Sequence, residues 1–309
     1  MKYAKISMLL VLTAVFIIGC AKEDDEAAIR ELLENSPYCG DGALQTSDDS
    51  TSTPQEHGGG YLFADTIPYV RWVRWIQRPV TWNYTITLTG DSADVTLTAY
   101  FHGAPPGYGF FVNNDLMGPV YQRTITDSVL RKAKLYQDDD GWHILSLTAA
   151  HIYTVTGSPI LLNPILITEV KARVESRDYE FVINSANTYF KKDELPTFLT
   201  NDTVDVTVTL NVPSDSSWAF LHHGAGYRPG IGLRPHHRDP FYKNNVTTFT
   251  RTWYIADDSV LNTPALRHSA IDVVGWQTLF GDSTACYYAR AWGLPYIVKT
   301  SLSEELPED

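Results

Sequence analysis

Cysteine is scarce in this chain, with three among 309 residues, and so is methionine, also at three. A disulfide-stapled miniature fold is thereby excluded, and the core has to come from hydrophobic burial. No run of lysine and arginine exists to meet a phosphate backbone, and the formal net charge is −12. That balance argues against nucleic acid as a partner and against a polybasic membrane contact. No G-x-S-x-G elbow, P-loop, dinucleotide fingerprint or H-E-x-x-H helix is present, so the common catalytic signatures are missing. No apolar run reaches the roughly 20 residues a spanning helix needs.

What the sequence does have begins at its first residues. Lys2 and Lys5 form a positive segment, and Ile6 to Ile18 is apolar apart from Ser7 and Thr13. This is the build of a secretory signal peptide. It ends Ile17-Ile18-Gly19-Cys20, which resembles a bacterial lipobox, where a small residue precedes a cysteine that is acylated and becomes the new N-terminus. Ile17 stands where that family usually carries leucine. The resemblance implies residues 1–19 as signal peptide, lipidation of Cys20 with palmitate among its acyl chains, and a membrane anchor in the cell envelope. Ala21 after the cysteine, in place of aspartate, implies the outer membrane. Cutting away Lys2 and Lys5 leaves a mature chain of net charge −14.

Residues 20–60 read as lipidated cysteine, short helix and flexible linker. Glu23 to Asn35 brings Ala27, Ile29, Leu32 and Leu33 near one face, and Pro37 and Gly40 stop the helix. Gly42 to Gly60 is a Ser/Thr/Asp/Gly loop. Tyr61 to Arg78 is ambiguous, because Arg71, Arg74 and Arg78 have helical spacing while Trp72, Val73, Trp75 and Ile76 occupy the other side. The aromatics Tyr69, Trp72, Trp75 and Trp82 read as core more readily than as an exposed stacking surface.

From Val80 the period changes to two. Val80–Leu88 and Val95–Phe101 flank a Thr89-Gly90-Asp91-Ser92 turn, and a second hairpin joins Ser128–Tyr136 to Trp142–Thr154 through Asp138–Gly141. Further strands are expected at 165–175, 179–184, 203–212, 218–222, 247–255 and 269–274. The fold class is therefore mainly β with a short N-terminal helix. Its division is a β-rich α+β domain over 61–157, a β-sandwich over 160–300, and an acidic tail over 301–309. A faint repeat aligns Asp94–Thr98 with Asp205–Thr209, His102-Gly103 with His223-Gly224, Asp127–Leu130 with Asp258–Leu261, and Gly141-Trp142 with Gly275-Trp276. Shared hairpin composition explains it as well. The helix Glu26–Glu34, the Thr89–Ser92 hairpin and the strand Asp140–Ile144 together resemble the SnoaL/NTF2-like cone fold. That resemblance implies a pocket, which His102, His143 or His151 with Asp94 would line. The second unit resembles an immunoglobulin-like sandwich.

The densest polar cluster runs from His222 to Asp239. A zinc or copper site there would draw on His223, His237, Asp239 and His268. The same loop offers Tyr227, Arg228, Arg234 and Arg238 to an anionic or glycan ligand. The plain reading of both is a solvated loop. Asp138-Asp139-Asp140 lacks the ligand spacing of a calcium loop and reads as a hairpin turn. Cys39 and Cys286 would either pair in an oxidising compartment or stay as thiols. The functional expectation is a non-enzymatic envelope lipoprotein that binds or scaffolds an envelope protein or glycan partner. The alternatives are a pocket enzyme or small-ligand binder, and a metal-binding loop.

Overall fold

The first alternating stretch forms a hairpin. β2 (Trp82–Thr89) and β3 (Ser92–Gly103) pair from Trp82↔Ala99 to Thr89↔Ser92. Gly90 takes φ +57° at their turn, and Gly141 takes φ +122° at the next, both in the region where a side chain is penalised. The computed structural model describes residues 24–39, 68, 70–77, 80–103, 107–115, 117–155, 165–211, 217–223, 237–255 and 263–305, with backbone alone at His237 and Arg238. The signal segment and Cys20 lie outside these residues. The protein is mainly β, with a helix α1 over residues 24–35, and its strands form three sheets.

The largest sheet has eleven strands. β3 pairs with β6 (Ile125–Asp138) along its whole length, and β6 returns through β7 (Gly141–Thr148) and β8 (Ala150–Thr154). The break at Ala149 lets the returning strand change neighbours. β7 goes on to β11 (Tyr189–Lys191), whereas β8 goes on to β19 (Ala289–Lys299). Beyond β19 lie β18 (Ala265–Gly275), β14 (Ser217–His223) and β15 (His237–Pro240), while β12 (Thr197–Leu199) runs parallel to the end of β19. Strands from both sides of the 157–160 boundary thus share one sheet.

Two smaller sheets cover opposite faces of this sheet. The first is β1 (Arg71–Trp75), β4 (Gly109–Asn113) and β5 (Tyr121–Arg123). The Trp72 ring lies 5.3 Å from Phe220 and 4.9 Å from Phe110, which fixes this sheet against β14. The other has the order β10 (Tyr179–Ile183), β9 (Leu166–Val174), β13 (Thr203–Asn211), β17 (Thr248–Tyr254) and β16 (Tyr242–Lys243). β13 alternates strictly: Val204, Val206, Val208 and Leu210 are buried, and each such side chain contributes about 1.5–3 kcal/mol. A strand between two covered faces has no solvent side, so nearly every residue of β14 and β19 and most of β18 is buried.

Helix α1 covers the β2–β3–β6 end of the large sheet. Ile29 and Leu33 are fully buried in one cluster with Val95, Leu97 and Leu135, and the Arg30 guanidinium lies over the Tyr84 ring at 5.7 Å. The Trp142 indole N–H donates to Asp25 at 3.1 Å. The turn after α1 is held by Arg131, which is buried and donates to the Tyr38 and Gly293 carbonyls.

Three expectations change. Arg71 and Arg74 belong to a strand, in which Trp72 and Arg74 point inward and Trp75 points out, so their three-residue spacing carries no helix. Strand β19 escapes period-two reading because both its faces are buried and it contains Gly293 and Pro295. Ile297 donates its N–H toward β12, so Pro295, two residues earlier, turns its missing donor to that same side, in the gap between β8 and β12. The last pair of the faint repeat differs in structure, since Gly141-Trp142 opens a strand while Gly275-Trp276 opens the short helix α2 (Trp276–Phe280). Residues 258–261 of the repeat lie outside the described residues.

Candidate functional site

Residues paired across neighbouring strands share a face, and successive residues alternate. His223 pairs with Ser269, and Leu221 with Ile271, so these side chains face β9, β13 and β17. His222 and Asp272 face the other way, toward β1. The two adjacent histidines therefore serve different layers.

On the first face, His223 Nε2 lies 3.1 Å from Asp239 Oδ2, and Arg251 lies 3.0 Å from the same oxygen. Arg251 also donates to the Pro240 carbonyl at 2.7 Å. One carboxylate so orients an imidazole and a guanidinium, each 15–19% exposed. The His223 ring rests 5.6 Å from Trp253, and Trp253 lines a cavity of about 60 Å³ between the two sheets. Phe181, Phe198, Trp292 and Leu294 form much of its wall, and Ser269 brings it a hydroxyl. An apolar void with so few polar groups stays dry and accepts an apolar group.

The proposed metal set does not converge. His223 and Asp239 meet, and the backbone of His237 lies opposite His223 in the β14–β15 ladder. His268 follows β18 one residue before Ser269, so it points to the opposite face of the sheet. It is buried beside the chain exit from α1, where Pro37 accepts its hydrogen bond. Burial and the neighbouring Arg131 push its pKa down to about 4. Among the described residues no group of three or more His, Cys, Asp or Glu is placed to hold a metal ion. Tyr227, Arg228 and Arg234 lie outside the described residues, as does the side chain of Arg238.

The bridge between Cys39 and Cys286 is not formed. Cys39 is a buried thiol, its pKa raised by burial against the opposing pull of Arg131, and Cys286 is an exposed thiol. The histidines that would line a cone pocket do not gather either. Asp94 is exposed and paired with Lys134, His143 is paired with Asp138 at a hairpin end, and His102 is exposed beside Tyr100. His151 is held low, with a pKa of about 4, by burial and then by Arg290.

On the β1 face the structure holds an ionic cluster that the residue pattern did not disclose. Arg74, 2% exposed, bonds Asp272, which is fully buried, at 2.8 Å, and His222 lies 3.3 Å from the same carboxylate. Asp127 stands close by, accepting from Tyr287 at 2.7 Å and from Thr154 at 2.8 Å. Burial raises the Asp127 pKa, against the pull of Arg74. At the far edge of the same small sheet, Arg123 donates to the carbonyls of Thr278, Gly281, Asp282 and Ala285 around α2. Two arginines thus fasten the small sheet to the large one. The available signal was Arg74 alternating with Trp72 in register, hidden by the competing helical spacing. No protein-family model matches the chain, and no curated protein matches it.

Proposed function

We propose that this chain is a membrane-anchored envelope lipoprotein that holds a partner by docking an apolar group in the cavity beside His223, Asp239 and Arg251. The observation that supports the anchor is the apolar segment ending Ile17-Ile18-Gly19-Cys20, and the tether after it is short. Only three residues separate Cys20 from Asp24, where the described helix begins. A fully extended chain spans about 3.3–3.6 Å per residue, so α1 starts within about 14 Å of an acylated Cys20. Ile29 and Leu33 tie that helix into the core, which keeps the whole folded body close to the lipid surface. Several acyl chains at about 0.8 kcal/mol per buried methylene make such an anchor durable.

The cavity supports binding rather than chemistry. Its volume suits a branched aliphatic side chain, and its aromatic wall is the kind of pocket in which interface hot spots concentrate. The His223–Asp239–Arg251 group supplies a polar rim for a hydrogen-bonded edge. In this reading the two packed sheets around the cavity are the immunoglobulin-like unit. The β2–β3–β6–β7 end with α1 corresponds to the NTF2-like unit, with α1 lying over the face that a ligand would need.

Radiolabelled palmitate should enter the wild-type chain and not Cys20→Ser, which should leave the membrane fraction. Crosslinking in intact cells should recover one stoichiometric partner, and Ala172→Leu, which fills the cavity, should lose it while keeping the anchor. Palmitate labelling of Cys20→Ser would overturn the anchor, and an unchanged partner yield from Ala172→Leu would overturn the docking site.

A further inference from the structure

Arg290 stands apart from the other arginines of the sheets. Arg74, Arg177 and Arg251 each meet a carboxylate, and Arg123 and Arg131 donate to main-chain carbonyls. The half-buried Arg290 guanidinium has no hydrogen bond or ion pair among the described residues, and its Nε is buried without a partner. It lies over the Tyr153 ring at 5.7 Å. The His151 ring lies 5.0 Å from the same tyrosine, and its Nε2 is also buried without a partner. Burial, and then the Arg290 charge, hold the His151 pKa down to about 4, so the imidazole is neutral at pH 7. Polar groups shut away from water without partners cost free energy, and a ligand that supplies the partner recovers it.

This group adjoins the cavity. Trp292 pairs with His151 and Arg290 with Tyr153 in the β8–β19 ladder, so all four side chains emerge from one face. Trp292 is part of the cavity wall, with Leu294 and Ser269 in the next row. Arg290 lies two residues before Trp292 on the same strand, a backbone separation of about 7 Å.

We infer that the group docked in this cavity is the C-terminal residue of a partner chain, its branched aliphatic side chain in the cavity and its carboxylate held by Arg290 beside His151. The inference rests on the docking reading above and names the chemistry of the docked end. Volume decides the tail, since about 60 Å³ takes one leucine or isoleucine side chain and the chain of a fatty acid would overfill it. In a terminal residue a single Cα separates side chain from carboxylate, which suits a cation one row away from the cavity. Charge decides the head. The chain has net charge −12, and an unpaired guanidinium offers a carboxylate two parallel hydrogen bonds. Capture of a terminal carboxylate is a recurring mode of peptide recognition.

The test titrates the full-length anchored chain in detergent with an acetylated Gly-Ser-Gly-Leu peptide, as the free acid and as the C-terminal amide, and with decanoate. The free acid should bind at least tenfold more tightly than the amide. Arg290→Gln should reduce that preference to less than twofold and leave amide binding unchanged, while Arg290→Lys, which keeps the charge and loses the second hydrogen bond, should retain part of it. Ala172→Leu should lose acid and amide alike. Equal binding of acid and amide, both lost in Ala172→Leu, overturns the inference and leaves the cavity as a docking site. A preference that survives Arg290→Gln overturns it, because the carboxylate then sits elsewhere, and decanoate binding more tightly than the peptide overturns it in favour of a lipid. No binding of either peptide at millimolar concentration overturns it as well, and the partner yield of Ala172→Leu then decides the cavity by itself.

Discussion

Removing Asp272 tests how the small sheet is fastened. Its carboxylate sits with no exposure in the middle of β18, 2.8 Å from Arg74 and 3.3 Å from His222. Asp272→Ala leaves a guanidinium in a site 2% exposed. Breaking a buried pair from one side costs about 3–5 kcal/mol, against a total domain stability of about 5–15 kcal/mol. Asp127 also faces Arg74 and is held above its ordinary pKa mainly by burial, with Asp272 adding to the rise. With Asp272 gone, Asp127 ionises more readily and takes over part of the guanidinium, which places the cost near the lower end, about 3 kcal/mol. Guanidinium chloride unfolding at pH 7 measures it. Asp272→Leu with Arg74→Met removes both charges, and should return to within about 1–2 kcal/mol of the parent. Hydrogen exchange should quicken in β1, β4 and β5 and stay unchanged in β13 and β17. A single variant that loses under 1 kcal/mol, or a double variant as weak as the single, would refute the reasoning.

Other consequences are equally direct. His268 has its folded pKa lowered to about 4 from 6.5 by burial, so its contribution is present above pH 6.5 and is lost as pH falls toward 4. The shift amounts to about 3 kcal/mol, and His268→Gln should flatten the stability profile in that window, read by thermal melts between pH 4 and 7. Arg123→Met removes the donor to the carbonyls of Thr278, Gly281, Asp282 and Ala285, and should cost about 2–4 kcal/mol with faster exchange around α2. Ala172→Val fills part of the 60 Å³ cavity and should stabilise by about 1 kcal/mol at most, scored by denaturant midpoint. A maleimide should label Cys286 in the native protein and reach Cys39 only on unfolding; prompt labelling of Cys39 contradicts its burial.

The strands legible beforehand were those with one polar face. β2, β3 and β13 alternate because one side meets solvent and the other the core. β19 was illegible for the opposite reason, since cover on both faces removes the polar beat that marks a strand, and β18 was read only from Ser269 to Val274. Arg71 and Arg74 misled because three-residue spacing is compatible with a helix, and only the Trp72–Phe220 contact shows which way the chain runs. The polar loop sites fared similarly. His223 and Asp239 were read together and meet, but sequence could not tell that His222 and His268 turn to the other side of the sheet.

The sequence by itself determined the class of fold, the N-terminal helix and the hairpins. These depend on local periodicity and on motifs contained in a few consecutive residues. Only the tertiary structure decided that strands from both halves share one sheet, that Arg74 meets Asp272 across almost two hundred residues, and that a cavity opens beside His223. Each of those depends on which strand lies beside which and on which face a side chain emerges, and a one-residue change of register reverses every such face.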